Sequence, residues 1–150
     1  MTLIVEEGDP RDPQATALLQ ASHALMESLF PPEDNHFLSI DALCTPDIHF
    51  FIAREADTIL GCAALANKGD YGELKSMFVA EAARGKGAAD ALMHQLEDHA
   101  QTLKLPMLKL ETGNLLRAAH KMYERHGFSV CPPFGDYTAN ETSVFMEKRL

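Results

Sequence analysis

The fold of this chain is decided by the segment Met77-Phe78-Val79-Ala80-Glu81-Ala82-Ala83-Arg84-Gly85-Lys86-Gly87-Ala88-Ala89-Asp90-Ala91-Leu92. An apolar, strand-like stretch reaches a basic, glycine-rich turn, and a helical pattern follows. Gly85 and Gly87 let the backbone bend tightly and approach a ligand without a clash from Cβ. Free N–H groups at the start of the helix, with the positive end of its dipole behind them, favour an anion such as phosphate. Arg84 and Lys86 add positive charge beside the turn.

Taken alone, this turn has two interpretations, an anion site or a tight strand-to-helix turn whose charges are solvated. It is not a Walker loop, which has four residues between its first glycine and a Gly-Lys-Ser/Thr end, and it lacks the third glycine of the dinucleotide fingerprint. A nucleotide-binding module is the weaker functional alternative, because no magnesium-binding Ser or Thr follows the loop.

Two motifs together resemble a known family. Arg84-x-x-Gly87-x-Ala89 fits the Arg/Gln-x-x-Gly-x-Gly/Ala loop of the GNAT superfamily of acyl-CoA-dependent N-acetyltransferases, and the preceding Glu73–Val79 resembles that family's fourth strand. Downstream, the stretch Ala119–Phe128 resembles the second signature, a helix with Ala-x-x-x-Tyr that ends in Gly-Phe. The resemblance covers about residues 48–150 well, and the N-terminal third only by pattern.

Hydrophobic periodicity predicts the element order β-α-α-β-β-β-α-β-α-β-β. Asp12 and Pro13 are good starting residues for the first helix, and a second, weaker helix is expected over Phe37–Leu43. This order predicts a mixed α/β fold with helices flanking a central sheet, and the GNAT resemblance implies that the sheet is mostly antiparallel. No linker or repeat interrupts the chain, so residues 1–150 are expected to form a single domain.

Composition limits the function classes. Hydrophobic residues make up 46% and charged residues 23% of the chain, as in a soluble globular protein. No apolar run spans a membrane and no signal pattern begins the chain, so a cytoplasmic location is expected. The net charge of −9 disfavours nucleic acid and anionic membranes as partners. Three cysteines without paired spacing indicate reduced thiols, and no histidine pair has metal-site spacing, so no metal is expected.

The resemblance implies acetyl-CoA as co-substrate and places its binding residues. The pyrophosphate is expected on the backbone of the turn, and the pantetheine arm is expected to pair with the end of the fourth strand like an added strand. The cofactor-binding residues are therefore predicted to be Met77, Phe78, Val79, Arg84, Gly85, Lys86, Gly87, Ala88 and Ala89.

Two residues are predicted to be catalytic. Tyr123 matches the family's tyrosine and is expected to donate a proton to the departing thiolate, the alternative being a hydrogen-bonded core tyrosine. Glu73 stands where some family members carry a catalytic glutamate on the fourth strand, so the resemblance implies that it is the general base, and whether Glu73 or a bound water takes the proton stays open. A partly buried carboxylate has the raised pKa that suits this role. The equal alternative is that Glu73 pairs with Lys75, since the two residues share one side of the pleat.

One position departs from the family pattern. Many family members carry an Asn seven residues before the tyrosine, where this chain has Leu116. Asn114 lies two residues earlier, so whether it contacts the cofactor or caps the helix stays open. Phe30–Phe37 and the loop 131–140 are the candidates for the acceptor pocket, and the favoured alternative for Phe134 and Tyr137 is that they only tack that loop onto the core.

The predicted function is transfer of an acetyl group from acetyl-CoA to an amine of a small molecule or peptide, by direct attack in a ternary complex. The alternative is a non-catalytic acyl-CoA-binding sensor with the same fold. The identity of the amine cannot be derived from the sequence, and the oligomeric state stays open, with a homodimer as one candidate.

Overall fold

The structure is a computed structural model that describes residues 2–150. Its strands are β1 (Leu3–Glu7), β2 (Ile48–Glu55), β3 (Thr58–Asn67), β4 (Gly72–Val79), β5 (Met107–Gly113), β6 (Ser129–Val130) and β7 (Ser143–Arg149). Its helices are α1 (Pro13–Leu29), α2 (Ile40–Leu43), α3 (Ala88–Thr102) and α4 (Arg117–Arg125), with short 3-10 turns at Pro32–Asp34 and Glu81–Ala83. The predicted order of strands and helices is confirmed.

The strands form one seven-stranded sheet in the order β1-β2-β3-β4-β5-β7-β6. Every neighbouring pair is antiparallel except β4 and β5, which run parallel. The predicted mixed, mostly antiparallel sheet is therefore confirmed. The parallel pair joins its two antiparallel parts, β1–β4 and β5–β7.

Helices cover both faces of the sheet, as the alternation along β3 shows. Cys62 and Ala64 pack into a cluster with α1 and α2, whereas Ala63 and Leu65 point to the opposite face and pack with α3 and α4. All four residues are completely buried. Because both faces of β3 are covered, its sequence is apolar from Ile59 to Ala66 rather than alternating.

The first helix begins where the sequence predicts. The Asp12 carboxylate accepts a hydrogen bond from the Gln14 N–H at 2.9 Å, and Pro13 occupies the first turn. The second helix is shorter than expected, because it starts at Ile40 rather than at Phe37. The Ser39 hydroxyl caps it by accepting from the Ala42 N–H at 3.1 Å, so the chain before Ser39 stays outside the helix.

Candidate active site

The central feature of the site is the place where β4 and β5 part. Their pairing covers only Gly72–Leu74 against Leu108–Leu110, and beyond Leu74 no strand pairing joins β4 to β5 in the part of the chain that the structure describes. The strands diverge there and open a cleft at the middle of the sheet. The end of β4, which contains Met77, Phe78 and Val79, thus leaves a free edge for an extended ligand to pair with.

A β-bulge shapes the same part of β4. The register against β3 shifts between Cys62 and Ala64, so that two residues of β4 lie opposite one of β3. Ser76 adopts φ = 56°, which is uncommon for a residue with a side chain. Its backbone oxygen lies 3.4 Å from the Cys62 sulfur. The bulge bends the strand and puts Ser76 and Met77 on the wall of the cleft.

The glycine-rich turn follows β4 and opens α3. Gly85 and Gly87 have φ = 84° and 85°, and no atom lies within 4 Å of the place where either Cβ would stand. Gly87 is the N-cap of α3 and makes no side-chain cap, so the first N–H groups of the helix, at Ala88 and Ala89, face outward. Arg84 and Lys86 are exposed. The turn therefore has the geometry of the predicted anion site.

An ion cluster ties the start of α3 to the end of α4. The Asp90 carboxylate accepts from Arg125 at 2.9 Å and lies 2.8 Å from His126 Nε2. The hydrogen bond from His126 is the largest influence that lowers the pKa of Asp90. This contact fixes the turn against the helix that carries Tyr123.

The cleft between β4 and β5 contains a cavity of about 130 Å³. The bulge of β4, the end of β5, the start of α4 and the segment after α1 form its walls. Its lining residues include Met26, Phe30, Asp34, His36, Lys75, Ser76, Met77, Glu111, Leu116, Ala119 and Tyr123. The cavity thus joins the predicted cofactor strand to the predicted catalytic tyrosine.

Tyr123 lies on the inner face of α4 and is only 6% exposed. Its ring packs against Phe128, with centroids 5.8 Å apart. Among residues 2–150 its hydroxyl has no hydrogen-bond partner, and the residue lines the cavity. Burial, together with the Glu111 charge, raises the pKa of Tyr123. The hydroxyl consequently keeps its proton over the ordinary working range of pH.

Glu73 is buried, with 4% exposure, and forms a tight network on β4. One of its oxygens accepts from the Tyr137 hydroxyl at 2.5 Å and lies 3.3 Å from the Lys75 ammonium. The ammonium also donates to the Tyr137 hydroxyl at 2.8 Å and to the His36 backbone oxygen at 3.0 Å. The structure thus brings Glu73 together with Lys75, and Glu73 lies behind the residues that line the cavity.

Tyr137 is the part of the C-terminal loop that matters to this network. Burial, reinforced by its hydrogen bond to Glu73, raises the pKa of Tyr137, so the phenol stays neutral and donates to the carboxylate. Phe134 packs edge-on against Tyr71 and Tyr137. Residues 131–140 tack onto the core, and the cavity wall is formed instead by Phe30–Phe37 and Thr142.

Glu111 is the residue of the site that sequence reasoning missed. It stands at the carboxyl end of β5, lines the cavity and accepts a hydrogen bond from the Ser143 hydroxyl at 2.7 Å. Burial raises the pKa of Glu111. A signal was present in the sequence, because Glu111 ends the buried-type strand Met107–Glu111 just before the predicted site helix.

The surroundings of Asn114 and Cys62 limit what these side chains do. The Asn114 side chain donates to the Glu141 backbone oxygen at 3.2 Å, and α4 has Leu116 as its N-cap, so Asn114 does not cap this helix. Burial raises the pKa of Cys62 to about 12, which leaves it a protonated core thiol. Among residues 2–150 no group of three or more metal-ligating side chains is arranged to hold a metal ion.

Comparison with known proteins identifies the family. Residues 16–128 match the model of the Acetyltransferase (GNAT) family. The chain belongs to the GNAT family. This acetyltransferase is 38% identical over 143 residues to an IAA acetyltransferase of Azospirillum brasilense, with 94% of each chain covered. It is 36% identical to the uncharacterized N-acetyltransferase YsnE of Bacillus subtilis, covering 91% of this chain and 93% of that one.

Solved structures agree with this assignment. A protein from Klebsiella pneumoniae assigned as an acyl-CoA N-acyltransferase superposes with a TM-score of 0.83 at 28% identity, covering 99% of this GNAT chain and 98% of that one. The PaiA N-acetyltransferase of Thermoplasma acidophilum, solved with coenzyme A, superposes with a TM-score of 0.78 at 15% identity over the whole of both chains, which shows a shared fold.

Family membership establishes the general activity of this GNAT protein. It is an N-acetyltransferase that uses acetyl-CoA as co-substrate and an amine as acceptor. Nothing supports the alternative of a non-catalytic sensor. Within residues 2–150, no helix is both long and apolar enough to cross a membrane.

Proposed function

We propose that this enzyme acetylates the amino group of a small molecule by direct attack within a ternary complex, with Tyr123 as the general acid. The observation that carries the proposal is the cavity between β4 and β5. Its wall contains Met77 from the proposed cofactor strand, Tyr123 from α4, and the polar side chains of Lys75 and Glu111. An amine in this cavity lies between the strand that would hold the thioester and the proposed proton donor.

The proposed cofactor contacts follow from the free edge of β4 and the turn after it. The backbone of Met77, Phe78 and Val79 pairs with the pantetheine arm, and the N–H groups of the turn from Arg84 to Ala89 hold the pyrophosphate. Asp90 at the start of α3 pairs with Arg125 and His126 at the end of α4, which joins the turn to the helix that carries Tyr123.

Tyr123 is proposed to protonate the thiolate as it leaves. Its hydroxyl is unpaired with other groups of residues 2–150 and faces the cavity, so it is available to a ligand. Its raised pKa means that loss of the proton in advance is unfavourable. The proton therefore moves as the sulfur develops its negative charge, when the acceptor is most basic.

Glu73 is proposed to act mainly by positioning Lys75 and Tyr137. The three side chains are joined by contacts of 2.5 to 3.3 Å and are screened from solvent. A proton from the cavity would have to pass Lys75 or the Tyr137 hydroxyl to reach Glu73. The sequence-based assignment of Glu73 as the base stays a prediction, which the pH–rate profile of Glu73→Gln tests.

Direct attack is preferred to an acyl-enzyme because no cysteine among residues 2–150 lines the cavity. Cys62 is completely buried, and burial raises its pKa to about 12. A thiol of this kind is protonated at neutral pH and is a poor nucleophile.

The test is a steady-state assay of thiol release from acetyl-CoA with a panel of amines, with mass spectrometry of the products. We expect CoA release that depends on the amine, and intersecting lines when both substrates are varied. Release of CoA without an acetylated amine would contradict the proposed function. Parallel lines, as in a ping-pong reaction, would contradict direct attack.

A further inference from the structure

The carboxylate of Glu111 on the cavity wall has one oxygen that is free to meet a ligand. Ser143 donates to one oxygen of Glu111, and among residues 2–150 the other oxygen has no hydrogen-bond partner. Glu111 extends from the end of β5, opposite the β4 bulge and close enough to Tyr123 for its charge to act on that hydroxyl. Glu111 therefore stands on the wall of the cavity in which an acceptor amine would attack a thioester held along β4.

The charges around the cavity determine which charge an acceptor molecule can carry. Asp34 and Glu111 contribute carboxylates to the wall, and Lys75 is its only side chain with a permanent positive charge among residues 2–150. The Lys75 ammonium donates to the His36 backbone oxygen and to the Tyr137 hydroxyl, and its charge is paired with Glu73 at 3.3 Å. No free positive charge is left on this wall for a negatively charged group of the substrate.

His36 does not change this balance. Its Nε2 is buried without a partner among residues 2–150, so it can make one hydrogen bond to a ligand. This nitrogen offers the ligand a hydrogen-bonding atom and not a permanent charge. A carboxylate placed beside Glu111 and Asp34 would therefore experience like-charge repulsion in a partly desolvated site.

The size and the apolar wall limit the rest of the molecule. The volume of about 130 Å³ is well below the roughly 300–1,000 Å³ of pockets for drug-sized ligands. Met26, Phe30, Leu116 and Ala119 provide apolar contacts. An amino group on a short hydrocarbon chain fits this combination of volume, apolar contact and negative charge.

We propose that the acceptor is a small amine with no carboxylate beside its amino group, and that Glu111 binds its ammonium and takes one proton from it. This inference rests on the proposed function. The free amine then attacks the carbonyl carbon, and the C–N bond forms as the C–S bond breaks. The sulfur takes the proton of Tyr123, and the extra proton of the new amide nitrogen returns to the Tyr123 oxygen, so that acetamide, CoA thiol and one released proton result.

Three compounds test the charge rule at nearly constant shape. Phenethylamine has no substituent beside the amino group, L-phenylalanine has a carboxylate there, and L-phenylalaninamide has a neutral group of almost the same size. We expect the purified wild-type enzyme to acetylate the first and the third, with kcat/KM for L-phenylalanine lower by roughly 100-fold or more because of like-charge repulsion. Tyramine and L-tyrosine provide a second matched pair.

Two variants connect the rule to Glu111. Glu111→Gln keeps the shape but removes the charge, so kcat/KM for phenethylamine should fall and the discrimination against L-phenylalanine should shrink. Glu147→Gln is the matched control, because Glu147 pairs with Lys109 at 3.0 Å outside the cavity and its removal should leave both values unchanged. The comparison of substrates uses only the wild-type enzyme. It therefore still tests the charge rule if the Glu111→Gln protein folds poorly.

The outcomes separate this inference from the proposed function. Similar kcat/KM for the amine, the amino acid and the amide would overturn the inference and leave acetyl transfer to amines in place. Equal rejection of the amino acid and the amide would also overturn it, because size rather than charge would then decide. The inference would also be overturned if none of the five compounds were acetylated while acetyl-CoA still raised the melting temperature. The proposed function would fail only if the wider amine panel also gave no product.

Discussion

At the scale of single residues, the site depends on where a few protons can go. Tyr123 has an unpaired hydroxyl on the cavity wall, Glu73 is enclosed by Lys75 and Tyr137, and Glu111 has one free oxygen. The two carboxylates therefore differ in access rather than in chemical type. Substitutions that keep the shape but remove one proton site distinguish their roles.

The first prediction concerns Tyr123→Phe. If the hydroxyl protonates the leaving thiolate, its removal should lower kcat by roughly 100-fold or more, with the KM for acetyl-CoA little changed. Packing should survive, because the ring is kept and the hydroxyl has no partner to lose among residues 2–150. Steady-state kinetics and a melting curve measure both effects.

Tyr71→Phe is the control for that substitution. Tyr71 stacks on Phe134 and lies outside the cavity, so its variant should keep wild-type kcat. Near-normal kcat in Tyr123→Phe would return Tyr123 to the role of a core residue.

The second prediction compares Glu73→Gln with Glu111→Gln in pH–rate profiles. The rate of the wild-type enzyme should rise with pH, as the base and the amine lose protons. We expect Glu73→Gln to lower the rate by a similar factor at every pH, because it loosens Lys75 and Tyr137 without removing the base. Glu111→Gln should lower the rate much more at neutral pH than at high pH, where free amine is abundant.

The opposite pattern would identify Glu73 as the base. A loss confined to neutral pH in Glu73→Gln, with a parallel curve for Glu111→Gln, would confirm the sequence-based assignment and refute Glu111 as the proton acceptor. The comparison is internally matched, since both substitutions exchange a carboxylate for an amide of the same shape.

At the scale of elements, the sequence predicted those helix ends that are determined by residues close together along the chain. Asp12 and Pro13 mark the start of α1, and Gly127, with φ = 93°, follows the end of α4 as a C′ glycine should. The second helix was overestimated, since the apolar residues Phe37 and Leu38 suggested helix whereas the Ser39 cap decides the boundary. Side-chain capping competes with periodicity and is hard to weigh in a short segment.

The candidate site was predicted only in part, because its geometry depends on pairings that are distant in sequence. The turn from Arg84 to Ala89 is local and was predicted. The cleft exists because β5 parts from β4 after Leu74, and Glu111 reaches the cavity only through that crossover. No local pattern shows which side of β5 meets β4.

The third prediction concerns the glycine-rich turn. Gly87→Glu puts a carboxylate where the pyrophosphate is proposed to bind, so acetyl-CoA should no longer raise the melting temperature. A side chain at φ = 85° also costs backbone energy, on the order of 1–2 kcal/mol. Thermal shift with and without acetyl-CoA measures the two effects separately.

Gly69→Glu is the matched control for the backbone cost. Gly69 has φ = 88°, and no atom lies within 4 Å of its Cβ position, but it sits in the turn between β3 and β4. The two variants should lose similar basal stability, and only Gly69→Glu should keep the shift with acetyl-CoA. A full shift in folded Gly87→Glu would place the pyrophosphate elsewhere.

At the scale of the whole molecule, a helix on each face of the sheet carries a histidine whose protonation destabilises the folded state. The His23 ring on α1 stacks on the Phe37 ring, with centroids 4.1 Å apart, and the centroid of the His99 ring on α3 lies 4.4 Å from that of the His49 ring. The Nε2 atoms of His23 and His99 are buried without partners among residues 2–150. Burial lowers the pKa of both His23 and His99, with the neighbouring His49 lowering that of His99 further.

The sign of the effect on stability follows from these shifts. Because the folded pKa values lie below the unfolded value of about 6.5, the unfolded chain binds protons first as the pH falls. The two histidines therefore have no effect on the free energy of unfolding above about pH 6.5, and they destabilise the folded state below it. Asp90 has a lowered pKa, so it contributes stability above about pH 4 that is lost only in stronger acid. Glu111, whose pKa is raised, acts in the opposite direction and favours the folded state as it is protonated.

The fourth prediction is that acid destabilisation begins near neutral pH and is caused by the two histidines. The wild-type melting temperature should fall between pH 7 and pH 5, before most carboxylates titrate. The double variant His23→Phe/His99→Phe, which keeps planar rings that take up no proton, should flatten this slope. His94→Phe is the control, since His94 is exposed, and it should leave the slope unchanged. An equally steep decline in the double variant would show that acid acts elsewhere, and the ion cluster around Asp90 would then be the next group to test.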